Sequence, residues 1–160
     1  MIVVVADTSP LNYLVLIGAV DVLPDLFNRV LVPDEVISEL RAAAAPPDVR
    51  AWAEALPDWI DVRSTGASDD EMPQLDPGER AAIRLAQVQL QALLVIDDAA
   101  GRLEATRRGI ECTGTIGVIR AAASKKLIDL RSTLGKLLQT NFRISASLVE
   151  ELLADDALRR

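Results

Sequence analysis

The chain has 160 residues, of which 50% are hydrophobic and 26% charged, a composition that fits one globular domain of ordinary size. It contains no His and one Cys, which excludes Ser-His-Asp and Cys-His catalytic machinery, a zinc site of the His/Cys type and an internal disulfide. The formal net charge of −7 argues against bulk, non-specific binding of nucleic acids.

The first half of the chain alternates short apolar runs with helical patterns. Residues 2–6 form a β-branched run that is typical of a fully buried strand. A helix is predicted over 8–17, with Thr8 or Ser9 as its N-cap and Pro10 at its first position. Further elements are predicted in this order: a helix over 19–28, a short strand at 31–32, a helix that begins at Pro33, a helix over 49–56 capped by Asp48, and a half-buried strand at 59–63.

The second half of the chain continues this alternation. A polar loop over 64–78 precedes a predicted helix over 79–91 and an apolar strand over 93–96. Asp97 and Asp98 end that strand and cap a helix over 99–108, after which 110–113 form a last short strand. Helices are then predicted over 116–126, 130–139 and 145–154, the last capped by Ser145 or Ser147. Buried runs that alternate with helices indicate an α/β fold with a parallel sheet.

Acidic residues fall where such a sheet binds its ligands, just beyond the carboxyl ends of the strands. Asp7 and Asp97 each follow an apolar strand, with Asp98 next in the chain. Glu79 begins the helix that leads into the second of these strands, and Glu39 lies late in the helix after residue 33. Carboxylates gathered at one place need a cation, and oxygen ligands suit Mg²⁺ or Mn²⁺, which activate water for displacement at phosphorus.

Each acid also has a purely structural interpretation. Asp7, Asp97 and Asp98 stand where N-caps are favoured, and each cap is worth about 1 kcal/mol. Glu79 would face the helix dipole from the first turn, and Glu39 would be a solvated helix residue. Capping and metal ligation are compatible, so spacing alone leaves both interpretations open.

Four motifs occur in order between residue 2 and about residue 125. They are Val-Val-Ala-Asp-Thr-Ser-Pro-Leu at 4–11, Val-Pro-Asp-Glu-Val-Ile-Ser-Glu-Leu at 32–40, Asp-Pro-Gly-Glu-Arg-Ala-Ala-Ile at 76–83, and Ile-Asp-Asp at 96–98 followed by Arg102. Together they resemble the PIN-domain family of metal-dependent ribonucleases, and within it the VapC-type toxins of prokaryotic toxin–antitoxin pairs. Gly-Thr-Ile-Gly at 114–117 resembles a segment common in that subgroup.

This resemblance implies a fold and a set of site residues. The fold is a three-layer α/β/α sandwich with a short parallel sheet, in one domain over 1–160 with a core at about 2–125 and extra C-terminal helices over 126–160. The implied catalytic residues are Asp7, Glu39, Glu79, Asp97 and Asp98. Of these, Asp7, Glu79 and Asp97 would hold Mg²⁺ or Mn²⁺, while Ser9, Arg102 and Thr115 would bind substrate. Glu79 stands where the commoner toxins carry Asp, and the Asp-Asp pair leaves the choice between Asp97 and Asp98 open.

The resemblance also implies a function: a metal-dependent endoribonuclease, the toxin of a toxin–antitoxin pair, bound by an antitoxin and forming a homodimer. Residues 101–143 carry 9 basic and 3 acidic side chains, and the basic ones would meet RNA phosphates.

The alternative is a catalytically silent PIN-like module that binds RNA or protein. An aspartate nucleophile is disfavoured, because Ser9 stands two residues after Asp7 where a second Asp would be expected. No apolar run approaches the roughly 20 residues of a membrane helix, so a cytoplasmic protein is expected.

Overall fold

The sheet of this protein is built from five short runs of the chain. The computed structural model describes residues 1–66 and 72–159. Within them the strands are β1 Val3–Ala6, β2 Val30–Pro33, β3 Ile60–Arg63, β4 Ala92–Val95 and β5 Glu111–Thr113. Neighbouring strands are parallel throughout, in the order β3-β2-β1-β4-β5. The central strands β1 and β2 are almost wholly buried, as expected of β-branched runs covered on both faces.

Helices connect the strands and follow the last of them. In the part of the chain that the structure describes they are α1 Thr8–Leu16, α2 Val22–Phe27, α3 Asp34–Arg41, α4 Pro47–Glu54, α5 Pro77–Gln87, α6 Ala99–Arg107, α7 Thr115–Ser124, α8 Leu130–Leu138 and α9 Ala146–Arg159. None of these helices is both long and apolar enough to span a membrane.

The helices cover both faces of the sheet. Successive β1 residues point to opposite faces, so Val4 joins a core shared with α1, α3 and α7, while Val5 joins a second core shared with α5 and α6. The last two helices extend the first core through Leu134 and Leu152. The arrangement is a three-layer α/β/α sandwich around a parallel sheet, and the predicted fold class is confirmed.

Two helices have other N-cap residues than predicted. α1 starts at Thr8, so Asp7 occupies the N-cap position instead of Thr8 or Ser9, and α4 starts at Pro47 instead of being capped by Asp48. The N–H groups of a helix's first turn have no partner inside the helix, so proline is tolerated throughout that turn. Pro10 is therefore accommodated at the third helical residue, and the prediction that it marks the first position was wrong.

The ends of the other helices follow from local chemistry. α5 begins two residues before the predicted position 79, because Asp76 caps it and Pro77 occupies its first turn. The Ser145 hydroxyl accepts from the Leu148 N–H at 3.1 Å, and α9 then runs to Arg159 with no Gly or Pro to stop it. Residues 67–71 of the predicted polar loop over 64–78 lie outside the described residues, whereas Met72, in the middle of that loop, is buried in the second core.

Candidate active site

Asp7 and Asp97 lie at the same edge of the sheet, beyond the carboxyl ends of neighbouring strands. Ala6 of β1 pairs with Val95 of β4, and the Asp7 N–H donates to the Val95 carbonyl at 2.9 Å. The chain passes from β1 to β2 on one side, whereas β4 and β5 lie on the other. Such a change of direction opens a crevice, and ligands of open parallel sheets bind there.

Asp7 is a buried acid with an unsatisfied oxygen. It is 4% exposed, and its Oδ1 has no hydrogen-bond partner among the described residues. Burial raises the pKa of Asp7 to about 8, and the negative charges of Glu79, Asp76 and Glu39 add to the shift. Although Asp7 stands at the N-cap of α1, its side chain makes no capping bond. Capping therefore does not explain a buried acid at this position.

Glu39 reaches the same place from the last turns of α3, where it packs against Gly78 of α5. A Cβ built on Gly78 would overlap Glu39 Oε1 and would come within 3.3 Å of the Thr8 hydroxyl, so only glycine leaves room for this carboxylate. Glu39 Oε1 and Thr8 Oγ1 are both buried. Burial raises the pKa of Glu39 to about 7, with Asp76 as the next cause. Glu39 is thus not the solvated helix residue of the structural interpretation.

Glu79 has a capping role and also faces its acidic neighbours. Its Oε1 accepts from the Asp76 N–H at 3.0 Å, and Asp76 Oδ1 accepts from the Glu79 N–H at 2.8 Å, which completes a capping box at the start of α5. Burial raises the pKa of Glu79, and the charges of Asp76 and Asp98 contribute. The capping bond uses Oε1 and leaves Oε2 available, so the box does not exclude a ligand.

Asp97 is held in place by three hydrogen bonds. The Ser9 hydroxyl donates to Asp97 Oδ2 at 2.8 Å, the Thr115 hydroxyl donates to Oδ2 at 2.7 Å, and the Thr115 N–H donates to Oδ1 at 2.7 Å. A Cβ on Gly114 would lie 2.7 Å from Asp97 Oδ1, so this glycine lets the carboxylate approach the start of α7. Ser9 and Thr115, which were predicted to bind substrate, therefore orient an acid of the site.

The two consecutive acids after β4 have different surroundings. Asp98 is exposed and caps α6, its Oδ2 accepting from the Gly101 N–H at 2.9 Å. Asp97 faces the strand edge instead, where α1 and α7 hold it. Arg102, one turn after Asp98, is exposed, and its Nη1 lies 3.2 Å from the position that a Cβ on Gly114 would take. Its guanidinium thus lies beside the Asp97 carboxylate.

The acids of the site have no ion-pair partners, and as they stand they do not form a metal-binding cluster among the described residues. Among residues 1–66 and 72–159, no Lys or Arg forms an ion pair with the acids of the site, Asp7, Glu39, Glu79 and Asp97. No group of three or more acid, His or Cys side chains in those ranges could hold a metal ion as the side chains stand. The predicted ligand set of Asp7, Glu79 and Asp97 is therefore not confirmed. Its oxygen-only chemistry and the orphaned Asp7 Oδ1 nevertheless suit a hard divalent cation.

Comparison with known proteins identifies the family. A family model described as a PIN domain, DUF3368, matches residues 3–156. The chain belongs to the PIN-domain family. No curated protein and no solved structure gives a significant match. PIN domains are generally nucleases and typically use divalent metals. The family model covers more of this PIN-domain protein than the four motifs do, since it also matches α8 and most of α9.

Sequence reasoning missed several residues that shape the site. Asp76 carries a local signal, because an acid three residues before Glu at a helix start is the pattern of a capping box. Gly78 and Gly114 were quoted in the motifs, but their contacts with Glu39 and Asp97 join segments that are far apart in the sequence. No local pattern predicts such contacts.

Proposed function

We propose that this PIN-domain protein is a metal-dependent endoribonuclease that hydrolyses RNA phosphodiester bonds. The observation that supports it best is the group of acids at the switch point of the sheet, with a buried Asp7 whose pKa is raised to about 8 and which has no cationic partner in the described structure. Burying uncompensated carboxylates costs stability, so their presence favours a site that a cation completes.

In this proposal Asp7, Glu79 and Asp97 hold Mg²⁺ or Mn²⁺, and Glu39 supports them from α3. The ion, when bound, would supply charge neutralisation at the phosphate and a more acidic water. The protein's own contribution is orientation: Ser9 and Thr115 fix Asp97, the capping box fixes Glu79, and Gly78 leaves space for Glu39. We assign Arg102 to the substrate phosphate and Asp98 to the helix cap.

Loss of Asp7 tests the proposal most simply. Purified protein should cleave RNA in the presence of Mn²⁺ or Mg²⁺, and Asp7→Asn should reduce the rate to background because the carboxyl that we assign to the ion is gone. Asp58→Asn, at an exposed position before β3, is the matched control and should leave cleavage unchanged. Robust cleavage by the wild-type protein in excess EDTA would overturn the proposal.

The choice between the consecutive acids is tested by the same assay. Asp97→Asn should abolish cleavage, whereas Asp98→Asn should retain most of it, because Asn caps a helix about as well as Asp. Equal loss in both variants would show that Asp98 also takes part in the reaction.

The biological role that we propose is that of a VapC-like toxin with a cognate antitoxin, acting as a homodimer in the cytoplasm. The support is the resemblance of the four motifs and of residues 114–117 to that subgroup. Expression of the wild-type chain should arrest growth, and Asp7→Asn should relieve the arrest. Co-expression of a small protein encoded next to the gene should also relieve it. An arrest that persists with Asp7→Asn would contradict a toxic ribonuclease.

A silent binding module is the second candidate, and two observations favour it. The acids do not form a ready metal cluster within the described residues, and Glu79 and Asp97 already accept hydrogen bonds. Such a module would show no specific stabilisation by Mn²⁺ and no cleavage. Thermal unfolding with and without Mn²⁺ separates the two candidates, since an enzyme's melting temperature should rise with the ion.

A further inference from the structure

The connection between α8 and α9 lies beside the candidate active site, where α1 holds it. The Tyr13 hydroxyl of α1 donates to Asn141 Oδ1 at 2.6 Å, and the Tyr13 ring meets the Phe142 ring edge-on, with centroids 4.9 Å apart and planes at 80°. The Phe142 N–H donates in turn to the Thr140 hydroxyl at 3.2 Å. These bonds fix a segment that carries none of the four motifs.

This connection helps to line a groove of about 450 Å³ whose lining also includes Asp97. Other parts of the lining come from α6, β5 and α7, through Arg102, Gly114 and Arg120. The connection and α9 contribute Phe142, Arg143, Ile144 and Leu148. The groove is therefore lined by an acid of the site, by guanidinium groups and by apolar side chains.

The lining of the groove carries three guanidinium groups, those of Arg102, Arg120 and Arg143, and one carboxylate, that of Asp97. Arg102 and Arg143 are exposed, and neither has an ion-pair partner among the described residues. Arg120 has only a long contact of 3.8 Å with Asp155, and both side chains of that pair are about half exposed. An excess of guanidinium groups around a groove favours an anionic ligand, and phosphate oxygens match their donor geometry.

We propose that this groove binds the nucleotide adjacent to the cleaved phosphodiester. Arg102 and Arg143 contact its phosphates, and its base lies against the Phe142 ring, for which the base must be unpaired. Tyr13 is a positioning residue that sets the orientation of Phe142 through the Asn141 bond and the ring contact. The proposal rests on the proposed function for the identity of the ligand, and it assigns the α8–α9 connection to substrate binding instead of pairing.

RNA binding in EDTA tests the groove apart from cleavage. The anisotropy of a short labelled RNA is measured with the wild-type protein and with variants of Phe142 and Arg143. Phe142→Ala should weaken binding about tenfold, because a stacked base loses its platform. Arg143→Ala should lower the slope of log affinity against log salt by about 0.7, the value for one lost contact with a single strand. Matched controls are Leu138→Ala, on α8, and Arg29→Ala, at the amino-terminal end of β2; both positions are exposed and outside the groove, and both variants should bind as the wild type.

Two further variants separate orientation and folding from binding. Tyr13→Phe removes the hydrogen bond to Asn141 and should weaken RNA binding. In the double variant with Phe142→Ala, it should cause little further loss of affinity, since both substitutions act through the Phe142 ring. Phe142→Leu keeps the apolar volume of the side chain without an aromatic face. It should melt as the wild type does and still lose most of the affinity that Phe142→Ala loses.

The outcomes distinguish this proposal from the proposed function. RNA affinity that depends on Phe142 and Arg143 without any cleavage in Mn²⁺ would support the groove and contradict the nuclease. Cleavage with RNA affinity equal in all variants would overturn the groove alone. Binding of an acidic peptide that requires Arg143, with RNA affinity unaffected, would identify the groove as a protein contact and would also overturn the proposal.

Discussion

At the scale of single residues, the site depends on two glycines whose lack of a side chain leaves room for its acids. Gly78 and Gly114 have no side chains, and each allows a carboxylate to approach a helix start, Glu39 in one case and Asp97 in the other. The motifs thus combine acids with the space that the acids need.

Gly78→Ala tests this requirement. The new Cβ would overlap Glu39 Oε1, so the carboxylate must move, and misplacement of about 1 Å in a reacting site can cost roughly 100-fold in rate. RNA cleavage should fall by that order while the melting temperature changes little, since Ala is otherwise favoured in a helix. Adding Glu39→Asp should restore part of the activity, because the shorter side chain avoids the clash.

Gly135→Ala is the matched control for this variant. Gly135 lies in α8, and a Cβ there would meet nothing within 4 Å. It should leave cleavage unchanged and should not lower stability. Full activity of Gly78→Ala would contradict the role of the glycine.

The raised pKa values of Asp7 and Glu39 predict how stability depends on pH without metal. Their folded-state pKa values of about 8 and about 7 lie above the ordinary values of 3.8 and 4.5, so the folded protein binds more protons than the unfolded chain between these limits. The free energy of unfolding should therefore fall as pH rises from about 4 to about 8. Urea denaturation in EDTA across this range measures the slope, and Asp7→Asn should flatten it. A free energy of unfolding that rises with pH in this range, and does so equally in Asp7→Asn, would contradict the raised pKa of Asp7.

At the scale of elements, the start of α5 combines helix capping with the position of Glu79. Asp76 and Glu79 exchange hydrogen bonds with each other's N–H groups, so the box that begins the helix also orients the acid. Helix α7 acts in the same way, because its first residue, Thr115, donates two hydrogen bonds to Asp97.

Asp76→Ala should therefore affect both stability and the site. Loss of the cap should destabilise the protein by about 1 kcal/mol, as measured by urea denaturation. Asp76→Asn should lose much less stability, because Asn is an effective cap. If both variants lose the same stability, the charge of Asp76, and not its capping bond, matters at this helix start.

The sequence predicted the elements whose signals are local. The β-branched run before Asp7 and the apolar run before Asp97 are strands, and the alternation of strands with helices gave the correct fold class. The Ser9 and Thr115 bonds to Asp97 join residues 88 and 18 positions away, so only the packed sheet brings them together. The part of the groove formed by Phe142 and its neighbours was not predicted for the same reason.

At the scale of the whole molecule, acidic and basic side chains are gathered in two adjacent places. The net charge of −7 includes the acids at the carboxyl edge of the sheet, whereas Arg102, Arg120 and Arg143 line a groove that also includes Asp97. A negatively charged protein can thus present a cation site and a phosphate-binding surface side by side.

The central claim is that the acids at the switch point form a divalent-metal site, and calorimetric titration with Mn²⁺ near pH 7 tests it most directly. Because burial raises the pKa of Asp7 to about 8, this carboxyl is largely protonated at that pH, and metal binding should release about one proton per ion. The released proton appears as a dependence of the binding heat on the ionisation enthalpy of the buffer. We expect saturable Mn²⁺ binding with proton release in the wild-type protein and its loss in Asp7→Asn. Absent binding, or equal binding by the two proteins, would contradict the claim.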